Sequence, residues 1–410
     1  MLNVVTLAEA GEILQSLVKP VKRTELITLE KGVGRVLAAD LCSQADVPSF
    51  DRAMVDGLAV RGADTFGASD TLPAMLHLAG TVKMGETPDF RLCPGECALV
   101  PTGGALPAGA DAMVMIEYTE NPGDKLWLVQ RSVSPGDHII KRGDDFAAGQ
   151  VVLPAGRQIR AADIGTLAAL AANQILVFEQ PRVAIISTGD ELLPVSEPIV
   201  PGCIHDVNSP ALSVLVRQAG ALPILYGIVA DQPDELAGIL AQAASECDLV
   251  LVSGGSSVGE KDYLAAAIAA QGESDLLFHG IAVKPGKPTI AGLAGDRIIL
   301  GLPGHPLAAW FMTFWLALPL LDALQGTMPA EPETVTAVTS CRIPSNLGRE
   351  SIIPVKLVPS AESGKQWLAE PVFTKSGLIT ALSQSDGCIR ISRELEGIEA
   401  GSQVTVYRFH

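Results

Sequence analysis

The rhythm of apolar positions changes along the chain, and each rhythm predicts a different kind of element. Thr6 followed by Glu9 at the head of LAEAGEILQSL predicts a helix through Leu17, because the two side chains can cap each other's free backbone donors. Alternating residues follow from Leu26 to Leu41, and Pro48, Gly57 and a run of small residues then break the period in ADVPSFDRAMVDGLAVRGAD. From about Leu72 to Val133, short apolar segments separated by Gly and Pro, such as AGTVKMGE and KLWLVQRSV, predict a small β-rich domain. A helical stretch around Ala161 to Ala172 closes this part.

Beyond it the rhythm changes again. RVAIISTGDEL reads as a buried strand, HDVNSPALSVLVRQAG as a turn and helix, LPILYGIVAD as a second strand and ELAGILAQAASEC as another helix. DLVLVSGGSSVGEKDY is an apolar run that stops at Ser253 and passes through Gly254, Gly255, Ser257 and Gly259 into a helix from Leu264. Strands alternating with helices predict an α/β domain on a parallel, doubly wound sheet, whose ligands bind beyond the carboxyl ends of the strands. GLPGHP leads into an apolar helix with Pro306 at a suitable first position. From Pro332 onward, TVTAVTSCRI, SIIPVKLV, KQWLAEPV and QVTVYRF alternate with turns, which predicts a small all-β tail domain.

Composition fits a multidomain chain and narrows its partners. With 410 residues, 48% hydrophobic and 18% charged, the chain can bury more than one core and leaves little room for long disorder. The net charge of -17 argues against a general nucleic-acid binder, which needs a positive footprint. Any anionic ligand must therefore be held by local positive groups. The start MLNVVTLAEAGEIL lacks the basic residues and long apolar stretch of a signal peptide. The most apolar run, Leu307 to Leu321, is shorter than the ~20 residues of a spanning helix and contains Pro319. The seven cysteines are scattered, as in a reducing cytosol. A cytoplasmic protein without a membrane segment is expected. Cys93 and Cys97 are the only close pair; no second pair completes a metal site, so they are expected to be structural.

The polar clusters gather where this fold class puts its ligands. Asp190 and Glu191 end one strand, Asp231 ends another, and Asp262 follows the glycine loop. Such a loop can aim backbone N–H groups at an anion, although a tight strand-to-helix turn without a ligand has the same sequence. Lys284 and Lys287 in KPGKP supply positive charge on a turn stiffened by prolines. His305 reads as a helix-start or packing residue rather than an acid–base group. Outside the α/β domain, Asp51, Arg52 and Asp56 share a loop, and Thr102-Gly103-Gly104 closes a strand as another candidate anion-binding turn. Lys141, Arg142, Asp144 and Asp145 are either a phosphate- and metal-pairing group or an exposed ion-pair cluster.

DVPSFDRAMVDGLAV, PTGGALPAGADAMVM, RGDDFAAGQVVLPAG, STGDEL, SGGSSVGEKDY, KPGKP and GLPGHP occur in the order and approximate spacing of MoeA-type molybdopterin molybdenumtransferases, the family that includes gephyrin E-domain-like proteins. The resemblance spans essentially the whole chain. It implies an elongated discontinuous domain (1–45 and 145–178), an inserted β-rich domain (46–144), the α/β molybdopterin-binding domain (179–327) and a C-terminal β-barrel (328–410). It also implies a cytoplasmic homodimer whose cleft lies between the α/β domain of one subunit and the inserted domain of the other, with molybdopterin adenylyltransferase as upstream partner.

The reaction so implied takes adenylylated molybdopterin, molybdate and Mg²⁺, releases AMP and leaves molybdenum on the dithiolene. By the same resemblance, Asp190, Glu191, Asp145 and Asp262 surround metal and nucleotide, with Asp190, Glu191 and Asp262 as the metal set. Lys284 and Lys287 hold anionic oxygen, Asp231 is a functional acid, and Asp56 and Thr102 reach in from the inserted domain. Ser253, Gly254, Gly255, Ser257, Gly259, Pro303, Gly304, Pro306 and Ser376 line the cofactor cleft. Departures from the pattern are Ser256, Leu58, Gln232, His305, Ile140 and Gly280; the last two stand where some members carry positive charge. Two other readings share the α/β domain. A molybdopterin adenylyltransferase has a GGTG-type loop and is usually a small single domain, and a non-catalytic scaffold would bind a partner instead.

Overall fold

The computed structural model describes residues 4–255, 263–271, 276–360, 366–373 and 377–409. The chain divides into two compact units, one of Met1–Glu25, Gly34–Val36 and Leu176–His410, the other of Leu26–Val33 and Leu37–Ile175.

In the first unit the predicted helix forms at Leu7–Leu17. Glu9 N–H donates to Thr6 Oγ1 at 3.2 Å, and Thr6 N–H donates to Glu9 Oε2 at 2.7 Å. The α/β part holds a six-stranded sheet in the order Leu222–Val229, Arg182–Thr188, Leu249–Ser253, Arg297–Leu302, Ile290–Ala294, Phe278–His279. The first four strands are parallel, and the remaining two are joined by antiparallel pairing. The sheet is thus not parallel throughout, as the alternation of strands and helices had implied. Gly295-Asp296, with Gly295 at φ 60°, forms a two-residue turn that folds Arg297–Leu302 straight back along Ile290–Ala294.

Successive strand side chains point to opposite faces, and here both faces are covered. Val183, Ile185, Leu249 and Leu251 pack with Leu14, Leu212, Val216 and Leu321. Ala184, Ile186, Val250 and Val252 pack with Leu236, Leu240, Leu264 and Ile268. That is why the strands read as continuous apolar runs. The apolar run after GLPGHP is helical from Pro306 to Leu324, with a π-helical turn at Thr313–Ala317. Pro319 does not stop it, because it falls in the first turn of Leu318–Leu324 after the π-turn, where a missing N–H costs little. This run has the length and mean hydropathy, 1.7, of a membrane span, yet 67% of it is buried. Leu307, Phe311, Leu316 and Leu320 belong to the core beneath the sheet, which accounts for its apolar character.

The tail forms a closed sheet: Glu350–Pro359 pairs with Trp367–Pro371, then Thr334–Thr339, Gln403–Arg408 and Gly387–Ile391, which returns to Glu350–Pro359. Its interior is Ile343, Val355, Ala369, Ile389 and Val406. Val283–Lys284 pairs in parallel with Glu350 and Ser351, so the barrel is stitched to the lysine-bearing turn.

The second unit is centred on a six-stranded sheet in the order Ala112–Met115, Gly57–Val60, Glu96–Val100, Ala74–Thr81, Leu126–Val129, Thr119–Gly123. Ala59, Ala98 and Met113 are buried on one face, and Leu58, Cys97 and Val114 on the other. The helix Ala161–Ala169 is anchored by Asp163, which accepts from Arg157 Nη2 at 2.7 Å and from the Arg160 N–H at 2.9 Å. These bonds, the Arg157 guanidinium foremost, hold the Asp163 carboxyl down at about 2.

Candidate functional site

The ends of the parallel strands bring the predicted acids together. Arg182–Thr188 runs into Gly189, Asp190 and Glu191, and the neighbouring strand Leu222–Val229 runs toward Asp231. Asp231 N–H donates to Asp190 Oδ1 at 3.2 Å, and the Thr188 hydroxyl donates to Asp231 Oδ1. The Glu191 carboxylate folds over Gly189, where a Cβ would lie 2.9 Å from its Oε2. Asp190 and Glu191 are exposed, so the cluster faces solvent.

Next to these acids the glycine loop approaches the backbone closely. Gly254 has φ 105°, and a Cβ there would lie 2.1 Å from the Thr188 carbonyl oxygen. Its N–H donates to Leu302 O at 3.2 Å, so its part in the site is close approach rather than anion donation. Gly255, at φ 65°, leaves a Cβ 3.1 Å from Thr188 Cγ2. A Cβ on Gly304 would be 3.7 Å from Gly254 Cα, which places GLPGHP against the same wall. His305 precedes the helix Pro306–Met312 as its N-cap, in keeping with a helix-start role.

Beyond Pro303 opens a cavity of about 660 Å³. The KPGKP turn and His305 line one side, and barrel residues Ser345, Asn346, Arg349 and Ser351 line the other. Lys284 and Lys287 are exposed and, among the described residues, have no ion-pair partner. Arg349 adds a third cation from the barrel, and Pro285, Pro354, Val372 and Phe373 complete a largely apolar surround. Among the described residues the lining carries these three cations and no carboxylate, in a chain of net charge -17, an arrangement that suits anionic oxygen. Beside it, Glu350 binds Arg390 Nε, and Arg390 Cζ lies 4.6 Å from the Trp315 ring centroid. Burial, the largest single influence, would lower the Arg390 pKa; the bond to Glu350 together with the charges of Glu350, Tyr407 and Cys388 outweighs it and leaves the pKa raised.

In the second unit, Asp56 and Thr102 meet directly: the Thr102 N–H donates to Asp56 Oδ1 at 2.7 Å. The antiparallel register Gly57↔Val100 sets this pair at one sheet end, and both residues are exposed. Asp145 lies on the adjoining segment, its N–H bonded to Val47 O at 2.9 Å. Arg142 bonds Asp46 through Nε at 2.7 Å, and Asp144 accepts from the Lys141 N–H at 2.7 Å. Those two acids are thus occupied within the ion-pair and turn network, whereas Asp145 has no side-chain bond among the described residues.

Comparison with known proteins decides the family. Residues 5–171 match the MoeA N-terminal region (domain I and II), 184–323 a probable molybdopterin binding domain, and 336–409 the MoeA C-terminal region (domain IV). A molybdopterin molybdenumtransferase of Bacillus subtilis is 32% identical over 387 residues, covering 93% of this chain and 89% of the relative. The chain belongs to the MoeA family of molybdopterin molybdenumtransferases. A molybdopterin molybdenumtransferase of a Nostoc species is 37% identical over 335 residues, covering 80% of this chain and 76% of the relative. The crystal structure of a molybdopterin biosynthesis MoeA protein from Pyrococcus horikosii superposes with a TM-score of 0.86 at 35% identity, covering 99% of each chain.

Within the first unit, Asp190, Glu191 and Asp231 meet at the strand ends, Gly254 and Gly255 approach Thr188 beside them, Gly304 approaches Gly254, and Lys284, Lys287 and Pro303 line the cavity, while Ser253 and Pro306 end the adjoining strand and start the adjoining helix. Ser256, Ser257, Gly259, Asp262 and Ser376 lie outside the described residues. Sequence reasoning missed Arg349, Ser345, Asn346 and Ser351; the one available signal was the arginine of NLGRES between two barrel segments. Gly280, one of the departures, has φ 106°, and a Cβ there would meet Val4 Cγ2 at 3.3 Å. A lysine on this backbone would be strained, so the positive charge of other members has no ready place here. Leu58, the departure from an aromatic, is fully buried in the sheet.

Proposed function

We propose that this MoeA protein transfers molybdenum from molybdate to adenylylated molybdopterin and releases AMP. The observation that carries the reading is the cavity lined by Lys284, Lys287 and Arg349, in the same unit as the paired strand-end acids. The three cations hold the oxygens of molybdate, because charge-assisted bonds in a partly apolar pocket outweigh those available in water. The Gly254–Gly255 turn and Pro303–Gly304 let the phosphate-bearing part of the substrate approach the backbone closely.

The acids fit a Mg²⁺ ion that is held jointly with phosphate. Among the described residues no three-donor cluster is preassembled, and one Asp190 oxygen already accepts the Asp231 N–H. Mg²⁺ takes one or two carboxylates and completes its shell with water and phosphate oxygens, so Asp190 and Glu191 would hold it, with Asp262 as the third acid of the set. When bound, the ion neutralises charge between phosphates and protein acids. Asp231 holds the Thr188 hydroxyl and keeps the adjacent strand ends in register. Asp56, Thr102 and Asp145 complete the cleft from the other subunit of a cytoplasmic homodimer, which receives its substrate from a molybdopterin adenylyltransferase.

The test is AMP release from adenylylated molybdopterin with Mg²⁺, with molybdate and tungstate compared. Release that requires the oxyanion supports the transferase. Consumption of ATP with free molybdopterin would assign the adenylyltransferase reaction instead, and absence of both pterin binding and turnover would leave a scaffold.

A further inference from the structure

Asn208 stands at the start of the helix Asn208–Gln218 and is 8% exposed. A polar residue there would ordinarily cap the helix by accepting from a backbone N–H. Here that task is done by Asp206, whose Oδ1 accepts from the N–H groups of Asn208 and Ser209, each at 3.1 Å. The Asn208 amide is left free to point away from its own helix. Its Nδ2 donates to Ser253 Oγ at 2.6 Å and to the Gly304 carbonyl at 2.8 Å. The neighbouring Ser209 hydroxyl bonds Ser187 at 2.7 Å. One helix start therefore latches three adjacent strand ends, those of Arg182–Thr188, Leu249–Ser253 and Arg297–Leu302.

We infer that Asn208 is a positioning residue that clamps the glycine loop to the GLPGHP loop and so sets the phosphate-facing wall of the site. This rests on the proposed function for the identity of the ligand, and on geometry alone for the clamp. Both acceptors, the Ser253 hydroxyl and the Gly304 carbonyl, belong to residues of the candidate site itself. Gly304 is itself exposed, but its carbonyl is met by the 8%-exposed Asn208 in a part-buried bond, and nothing of the same shape as asparagine except its amide can donate to it and to Ser253 together. Aspartate keeps the shape but turns the donor facing Gly304 into an acceptor, so the loop carbonyl is pushed away while the Asp206 cap remains.

The experiment compares wild type with Asn208→Asp and Asn208→Ala, using amide exchange, equilibrium binding of adenylylated molybdopterin and thermal unfolding. The clamp predicts faster exchange at Gly304 and His305 with unchanged exchange at Ile185 and Ile186. It also predicts a Kd for the pterin raised about tenfold, the equivalent of two neutral hydrogen bonds, and a smaller change in kcat at saturating ligand. Unchanged exchange at Gly304 and His305, or exchange that rises equally throughout the sheet, overturns it. So does loss of the folded state in both variants, since the residue would then be holding the core. If wild type itself fails to bind the pterin, the proposed function falls, and the exchange data still decide the clamp.

Discussion

Replacing Gly254 by alanine tests the close approach on which the strand-end site depends. The added Cβ would stand 2.1 Å from the Thr188 carbonyl oxygen, against 3.4 Å for ordinary contact, so the loop or the strand end must give by about 1.3 Å. The backbone itself is at φ 105°, a conformation that costs an L-residue ~1–2 kcal/mol. Overpacking of a close-packed contact adds ~1–3 kcal/mol, so the substitution costs about 2–5 kcal/mol if nothing moves. Movement relieves part of that cost but displaces the loop by about an ångström, and a displacement of that size in a catalytic wall lowers rate by ~100-fold. Molybdate-dependent AMP release and thermal unfolding, measured on the same preparation, are therefore both expected to fall. Gly11→Ala is the matched control: it sits in Leu7–Leu17 with nothing within 4 Å of the new Cβ, and should stabilise by ~0.5–1 kcal/mol without changing turnover. Wild-type turnover and unfolding temperature in Gly254→Ala would refute the close-approach argument.

Other outcomes follow from residues already placed. Lys284→Gln and Lys287→Gln should each raise the KM for molybdate by ~10-fold or more, as loss of a charge-assisted bond does, and the effect should shrink at high salt; steady-state kinetics at two ionic strengths check both. The Asp163 carboxyl is depressed from 3.8 to about 2, so its contribution to stability is complete above pH 3.8 and is lost as pH falls through the folded-state value; Asp163→Asn should be less stable at neutral pH and flatten that acid limb in a pH series of unfolding curves. Burial pushes the Cys97 and Cys388 thiols up to about 12, whereas Cys93 is exposed, so a thiol reagent at neutral pH should label Cys93 in the folded protein and the other two only after unfolding, read by peptide mass.

What could be read from the chain was what local chemistry encodes. Val183 to Ile186 and Leu249 to Val252 are apolar on both faces because helices cover both, and it is their shortness and the glycine turns that stop them, together with the apolar run, that mark buried strands. The acids at their ends follow from the α/β rule, and Asp190, Glu191 and Asp231 do lie side by side. The chain order of contacts is another matter. Glu96–Val100 sits between Gly57–Val60 and Ala74–Thr81, parallel to the latter, and no turn signal announces that pairing. Asn208 looks like an ordinary helix start because its partners, Ser253 and Gly304, are 45 and 96 residues away. Arg349 and Ser351 escaped for the same reason: they reach the lysine turn only through the pairing of Val283–Lys284 with the barrel. Motif resemblance, rather than periodicity, paired Asp56 with Thr102, and the register of their strands supplies the cause.

That short pairing also sets a limit on how this protein can be cut and recombined. Glu350 N–H bonds Ala282 O at 2.9 Å, Val283 faces Glu350, and Lys284 faces Ser351, so the turn that carries two of the cavity's cations is braced by the strand that follows the third. A chimera joined just ahead of Thr334 would keep the lysines of one parent and receive Arg349 with its bracing strand from the other. Its parts would each be intact, yet the lining of the cavity would be a hybrid of two lineages. Substitutions in 283–288 and 344–354 are accordingly expected to be tolerated in company and rejected singly.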